Sequence, residues 1–212
     1  MWTLSLSRKS ASTDAERWVV LDVESSGLDA SSDRLLALAA VAVRLDGKRL
    51  WIDLADSFEA VLRQPAGAGP PDKSNILVHG IGVGAQGSGA DPAETMNRFE
   101  SFVDTSPLLG FHVEFDRRLI DRTSQAVIGR KLRNPWLDIA DVAAVLRPGP
   151  RARTLDDWLG ASDIDCAQRH QASADTLATA ELLLHLWPAA RAEGVAGFRG
   201  LSRLAARRRW LS

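Results

Sequence analysis

Short apolar runs separated by turn signals fill the first quarter of the chain. Trp18-Val-Val-Leu-Asp-Val23 is β-rich and stops at Ser25-Ser26-Gly27, which predicts a buried strand. A second apolar run spans Leu35 to Leu45, followed by the tight-turn pair Asp46-Gly47 and a third run, Leu50 to Leu54. Together they predict an antiparallel three-stranded meander with the first strand at its centre or edge. Residues 64–90 are rich in Gly and Pro and read as a long loop. Asp91-Pro92 has the chemistry of a helix start, and Met96, Phe99 and Val103 follow on one helical face. Pro107 to Phe111 predicts a short buried strand, Phe115 to Ile128 a helix, and Trp136 to Ile139 a strand leading into Val142–Leu146. Leu155 to Leu159 reads as a helical turn. Ala172 to Trp187, rich in Ala and Leu, is the clearest helix, and Pro188 is expected to interrupt it. Strands first, then helices alternating with strands, indicate an α/β fold with a mixed sheet.

The polar, Ser-rich residues 1–16 suggest a flexible N-terminal arm. Residues 17–190 form one domain in this reading, and 191–212 a basic C-terminal tail. Of the 212 residues, 45% are hydrophobic and 25% charged, which excludes a wholly disordered chain. The longest apolar run, Leu35 to Val43, is far short of the roughly 20 residues of a membrane span. One cysteine, Cys166, excludes an internal disulfide framework and a cysteine-rich zinc site. The N-terminus lacks the apolar stretch of a signal peptide, so a cytoplasmic location is expected. Six arginines against Glu193 give residues 191–212 a surplus of +5 in a chain of net charge −1. Such a tail suits either a polyanion or the negative pole of a helix end.

Two motifs point to chemistry they do not support. Gly82-Val-Gly-Ala-Gln-Gly87 matches a dinucleotide-binding fingerprint, but the expected helix starts late, after Asp91. Cys166 lies four residues before His170, without the surroundings of a nucleophilic pair, and reads as a buried, inert cysteine.

The stronger candidates are carboxylates. Asp22 and Glu24 end the first strand, and two-residue spacing puts both on one face. Like charges held that close call for a neutralising cation, and oxygen ligands suit Mg²⁺ or Mn²⁺. The Ser25-Ser26-Gly27 turn after them offers backbone N–H groups to a substrate. Asp116 follows the short buried strand at a helix start. His170 precedes the clearest helix, and Asp175 lies in its first turns. An imidazole with an ordinary pKa of about 6.5 accepts a proton from water at neutral pH. Taken singly, each has a plain structural role: a solvated strand end, or an acid at a helix start.

In this order the segments Val19-Val-Leu-Asp-Val-Glu-Ser-Ser-Gly-Leu28, Leu109-Gly-Phe-His-Val-Glu-Phe-Asp116 and His170-Gln-Ala-Ser-Ala-Asp-Thr-Leu-Ala-Thr-Ala-Glu-Leu182 resemble one family. It is the DEDDh class of 3′–5′ exonucleases, which includes the proofreading ε subunit of bacterial DNA polymerase III. Val78-His-Gly-Ile81 is similar to the family's His-Gly-Ile segment. Ser25 and Ser26 stand where the family has Thr, and Phe111-His112 where it often has His-Asn. The resemblance runs from about Trp18 to Trp187 and implies an RNase H-like mixed sheet flanked by helices. It further implies hydrolysis with two Mg²⁺ or Mn²⁺ ions. Asp22 would bridge both, Glu24 and Asp175 would complete one, Asp116 would support the other, and His170 would act as general base. The expected substrate is a single-stranded 3′ end, DNA first, released as nucleoside 5′-monophosphates. Ser25, Ser26, Gly27, Ile81, Phe111 and His112 are the expected substrate contacts. A DNA polymerase or another replication or repair protein is the expected partner. The alternatives are an RNA-directed 3′–5′ exoribonuclease and a non-catalytic nucleic-acid-binding adaptor.

Overall fold

A computed structural model of the protein describes residues 15–65, 73–147 and 152–210, so nearly all of the expected N-terminal arm lies outside the described residues. A five-stranded mixed sheet forms the centre. Its strands are β1 (Glu16–Ser25), β2 (Leu35–Asp46), β3 (Arg49–Val61), β4 (Leu108–Gly110) and β5 (Trp136–Asp138), in the order β3-β2-β1-β4-β5. The expected meander is β1-β2-β3, with β1 at the centre of the sheet. β2 runs antiparallel to β1, whereas β4 runs parallel to it and β5 parallel to β4.

The helices are α1 (Lys73–His79), α2 (Val83–Ser88), α3 (Pro92–Val103), α4 (Glu114–Ile128), α5 (Ile139–Leu146), α6 (Leu155–Ala161), α7 (Ala172–Ala192) and α8 (Phe198–Ala205), followed by a 3-10 segment, Ala206–Trp210. They cover both faces of the sheet. Alternation along β1 sends Trp18 and Val20 to one face and Val19, Leu21 and Val23 to the other. The first face packs on α5, α6, α7 and α8, through Val142, Trp158, Leu183 and Leu201 among others. The second packs on α3 and α4, through Met96, Phe99, Leu119 and Ile120. Among the described residues no helix is long and apolar enough to cross a membrane.

Five elements differ from expectation. Residues 73–79 and 83–88 are helical, not loop. Polar contacts fix them: the Asn75 amide donates to the Ser25 carbonyl, the Ile81 N–H to His79 Nδ1, and the Gln86 amide to the Ile81 carbonyl. No apolar stripe announces such helices. The glycine run caps and fills α2, and the element before it is α1, so no strand leads into it as a dinucleotide-binding turn requires. β3 runs on to Val61 because Leu54, Ala55 and Asp56 bulge out between the pairs Ala42–Asp53 and Val41–Ser57. Asp56 is thereby aimed at Arg17 and Arg44, at 2.8 and 2.6 Å.

The other two differences lie at the C-terminal end. α7 continues through Pro188 to Ala192. Proline removes one main-chain hydrogen bond, but Trp187 and Ala190 are buried on either side of it, and that packing holds the turn. The segment expected as a basic tail is partly core. Leu201, Leu204 and Ala205 of α8 are buried, and the Phe198 ring meets Trp18 edge-on at 6.3 Å. Glu16 ties both ends together, accepting from the Trp18 indole at 3.0 Å and the Phe198 N–H at 3.2 Å. Only the outer arginines fit the solvated reading, and Arg207 pairs with Glu193 at 2.9 Å. Leu201→Ala should therefore lower the unfolding free energy by about 2–4 kcal/mol. Denaturant unfolding measures this, and a loss under about 0.5 kcal/mol would mean that α8 is dispensable.

Candidate active site

The site forms where the carboxyl ends of β1, β4 and β5 meet. β1 is the strand at which the sheet changes direction, and crevices open at such points. Asp22 and Glu24 share the face of β1 covered by α7, as their spacing requires. Asp175 enters from the first turn of α7, whose position is fixed along the sheet by burial of Leu182, Leu183 and Leu186 and by the Thr176 hydroxyl on the Ala39 carbonyl at 3.2 Å. One carboxylate oxygen from each of Asp22, Glu24 and Asp175 lies within 4.8 Å of the others.

Asp116 approaches from the first turn of α4, where Leu119 and Ile120 anchor the helix on the opposite face. It is buried, and its carboxylate is held by its own main-chain N–H and that of Val23. Gly110 permits the close approach of β4 to β1, since a Cβ there would meet Val113 Cγ2 at 2.8 Å and the Leu21 carbonyl at 3.1 Å. All four acids are thus brought together.

Their electrostatics are adverse. Burial first, then Asp116, Glu24 and Asp175, push the Asp22 carboxyl well above the usual range. Burial, then Asp175, raises Glu24 to about 8. Burial raises Asp116 to about 8 despite its two main-chain hydrogen bonds, with Asp138 adding to the rise. A dense, all-oxygen, anionic pocket of this kind suits a hard divalent cation.

The remaining expected residues fall into place unequally. His170 caps the approach to α7 in a left-handed conformation, φ 61°, and its N–H donates to Asp175 Oδ2 at 3.1 Å. Its imidazole is exposed. The Ser26 hydroxyl donates to Asp33 and accepts from the Arg34 N–H, both at 2.9 Å, and the Ser25 hydroxyl donates to the Gly27 carbonyl. Both hydroxyls therefore brace the turn instead of facing outward. Gly27 is required there, because a Cβ would meet the Asp33 carboxylate at 2.5 Å. The Ile81 side chain is 9% exposed and packs on Leu36 and Ala37. Its side chain is turned inward, and the large exposed side chains of that segment are Leu77, Val78 and Val83. Phe111 is half-buried, edge-on to His112 at 4.6 Å. His112 donates its N–H to Asp138 Oδ1 at 3.0 Å, and its ring Nε2 lies 2.9 Å from the Arg153 carbonyl.

Three neighbours escaped the sequence reading. Asp138 ends β5, caps α5 and adds negative charge beside Asp116. The Cys166 thiol donates to Asp175 Oδ1 at 3.4 Å, so the cysteine braces a carboxylate and does not pair with His170. Arg169 reaches Asp175 from the loop before α7 and also pairs with Asp156. The strand-end position of Asp138 was a usable signal. For Arg169 and Cys166 the sequence held none.

Comparison with known proteins places this geometry. A family model described as RNase_T: Exonuclease matches residues 19–183. The chain is 30% identical over 188 residues to a DNA polymerase III subunit epsilon-like protein of Rhodobacter capsulatus, a match covering 87% of this chain and 26% of the relative. It is 27% identical over 183 residues to the PolC-type DNA polymerase III of Bacillus subtilis, covering 86% of this chain and 12% of that protein. The chain thus spans about a quarter or less of these relatives. Among solved structures, the zinc-bound complex of E. coli exonuclease I with ssDNA superimposes with a TM-score of 0.64 at 21% identity, covering 79% of this chain and 39% of that one. The likeness bears out the RNase H-like fold.

The raised carboxyls set a pH dependence. Glu24 and Asp116 keep their protons up to about 8 in the folded chain, against ordinary values of 4.5 and 3.8 when unfolded. Between these limits the folded state binds more protons, so its stability falls as pH rises. In EDTA, the melting temperature should drop between about pH 5 and pH 8, and saturating Mn²⁺ should reverse the drop. A melting temperature that climbs over this window without metal would contradict the charge assignment.

Proposed function

Since the chain belongs to the RNase_T exonuclease family, we propose that it is a metal-dependent 3′–5′ exonuclease that trims single-stranded DNA to nucleoside 5′-monophosphates. The observation that carries this reading is the convergence of Asp22, Glu24 and Asp175 within 4.8 Å, with Asp116 beside them. These acids would hold two Mg²⁺ or Mn²⁺ ions: Asp22 shared, Glu24 and Asp175 on one, Asp116 on the other. Bound there, such cations polarise the scissile phosphate and ease both water attack and departure of the 3′ oxygen.

The protein's own groups supply the rest. His170 takes the proton from the attacking water, and its exposed ring returns that proton to solvent. Its backbone bond to Asp175 ties the base to a ligand. The braced turn 25–27 offers main-chain amides to the terminal nucleotide, and Phe111 and His112 present ring edges and faces to a base.

A DNA substrate is supported by the ssDNA complex of the E. coli neighbour and by relatives named as polymerases or polymerase subunits. The same names support a DNA polymerase or other replication protein as partner, and a cytoplasmic site of action follows from that role.

Oligonucleotides labelled at either end, DNA and RNA in parallel, test the reading in Mg²⁺, Mn²⁺ and EDTA. Mononucleotide release from the 3′ end of DNA is expected, only with a divalent ion. Release from the 5′ end, internal cuts or activity in EDTA would refute it. Asp22→Asn should abolish hydrolysis. His170→Ala should reduce kcat by about 10²- to 10⁴-fold while Mn²⁺ still binds. If His112→Ala proves the more damaging and His170→Ala is near normal, the base has been misassigned.

A further inference from the structure

Asp175 is the acid of the cluster most fully engaged by the protein itself. Its Oδ2 accepts from the His170 N–H. Its Oδ1 accepts from the Cys166 thiol and forms an ion pair with Nη1 of Arg169. Arg169 meets the cluster directly, and its positive charge also acts on Asp22 and Glu24. The guanidinium spans two acids of opposite character: Nη1 on Asp175, whose side chain is 7% exposed, and Nε on Asp156, 62% exposed. Asp156 stands in the first turn of α6, where the helix dipole favours its charge.

A guanidinium and a divalent cation cannot share one carboxylate oxygen, because at contact distance their like charges repel. One acid lies inside the cluster and the other at the surface, so the arginine has somewhere to go. We propose that Arg169 is a resident counter-ion of the carboxylate cluster, holding Asp175 Oδ1 until a divalent cation displaces it onto Asp156. It is a positioning residue that competes with the metal. It masks repulsion among the acids in the metal-free protein and weakens metal binding as a result. The inference rests on the reading of Asp175 as a ligand.

Mn²⁺ titration by calorimetry or electron paramagnetic resonance tests the exchange without any hydrolysis. Arg169→Gln removes the competitor and should bind Mn²⁺ about tenfold more tightly. Asp156→Asn removes the outer resting place, leaves the arginine on Asp175, and should bind Mn²⁺ several-fold more weakly. Opposite signs from two variants are not expected of residues that only support the fold. Arg169→Gln should also melt lower than the wild type in EDTA and gain more from saturating Mn²⁺. Equal or weaker binding by Arg169→Gln, or unchanged binding by Asp156→Asn, would overturn the proposal. Asp156 is surface-exposed, so its variant decides the matter even if Arg169→Gln does not fold. Two controls separate this outcome from failure of the site reading. If the wild type binds no Mn²⁺, or Asp22→Asn binds it equally well, the metal site itself is misassigned. If both controls behave and only the two test variants do not, the counter-ion role alone falls.

Discussion

Repulsion among buried carboxylates at the end of β1 is the constraint that the rest of the structure answers. Asp22, Glu24 and Asp116 are each held where burial and neighbouring acids disfavour ionisation, and Asp175 lies beside them. Left to themselves, such groups would splay apart or move to solvent. They stay because each is mounted on an element with no freedom to retreat. β1 is paired on both sides. α4 is pinned by Leu119 and Ile120, and α7 by the sheet-facing residues Leu182, Leu183 and Leu186. The apolar core thus holds the acids in place, and an oxygen cluster of this kind suits a divalent cation.

The two faces of the sheet contribute differently. α7 and its companions α5, α6 and α8 deliver Asp175, with Asp138 capping α5 nearby. α3 and α4 deliver Asp116 from the other side. Neither half makes the cluster alone, and β1 is the element they share.

Much of this was legible in the sequence because periodicity and local chemistry carried it. Two-residue spacing put Asp22 and Glu24 on one face, and the Asp91-Pro92 start of α3 stands as expected, with Asp91 accepting from the Ala93 and Glu94 amides. What was not legible depended on contacts between distant segments. α1 and α2 are set by polar bonds, with Leu77 left 86% exposed, so no apolar pattern marked them. α7 passes through Pro188 because burial on both sides outweighs a lost hydrogen bond. Ser25 and Ser26 turned inward to brace a loop, and Ile81 turned into the core. Arg169 and Cys166 were silent for the same reason: their partner, Asp175, is reached only through the path of the loop before α7.

The bond from the Thr176 hydroxyl to the Ala39 carbonyl joins positions 137 residues apart, and it marks when in the life of the chain the site comes into being. β1, β2 and β3 are made first and can pair as soon as they emerge, since their contacts are local. Asp175 is made late, on a helix that must dock across a finished sheet. During synthesis the chain therefore carries Asp22, Glu24 and Asp116 before the fourth acid of the cluster is in place. A cluster assembled in this order is complete only when the last large helix has docked. Completion of the cluster then reports docking of α7, and a chain interrupted before α7 lacks one of the four acids.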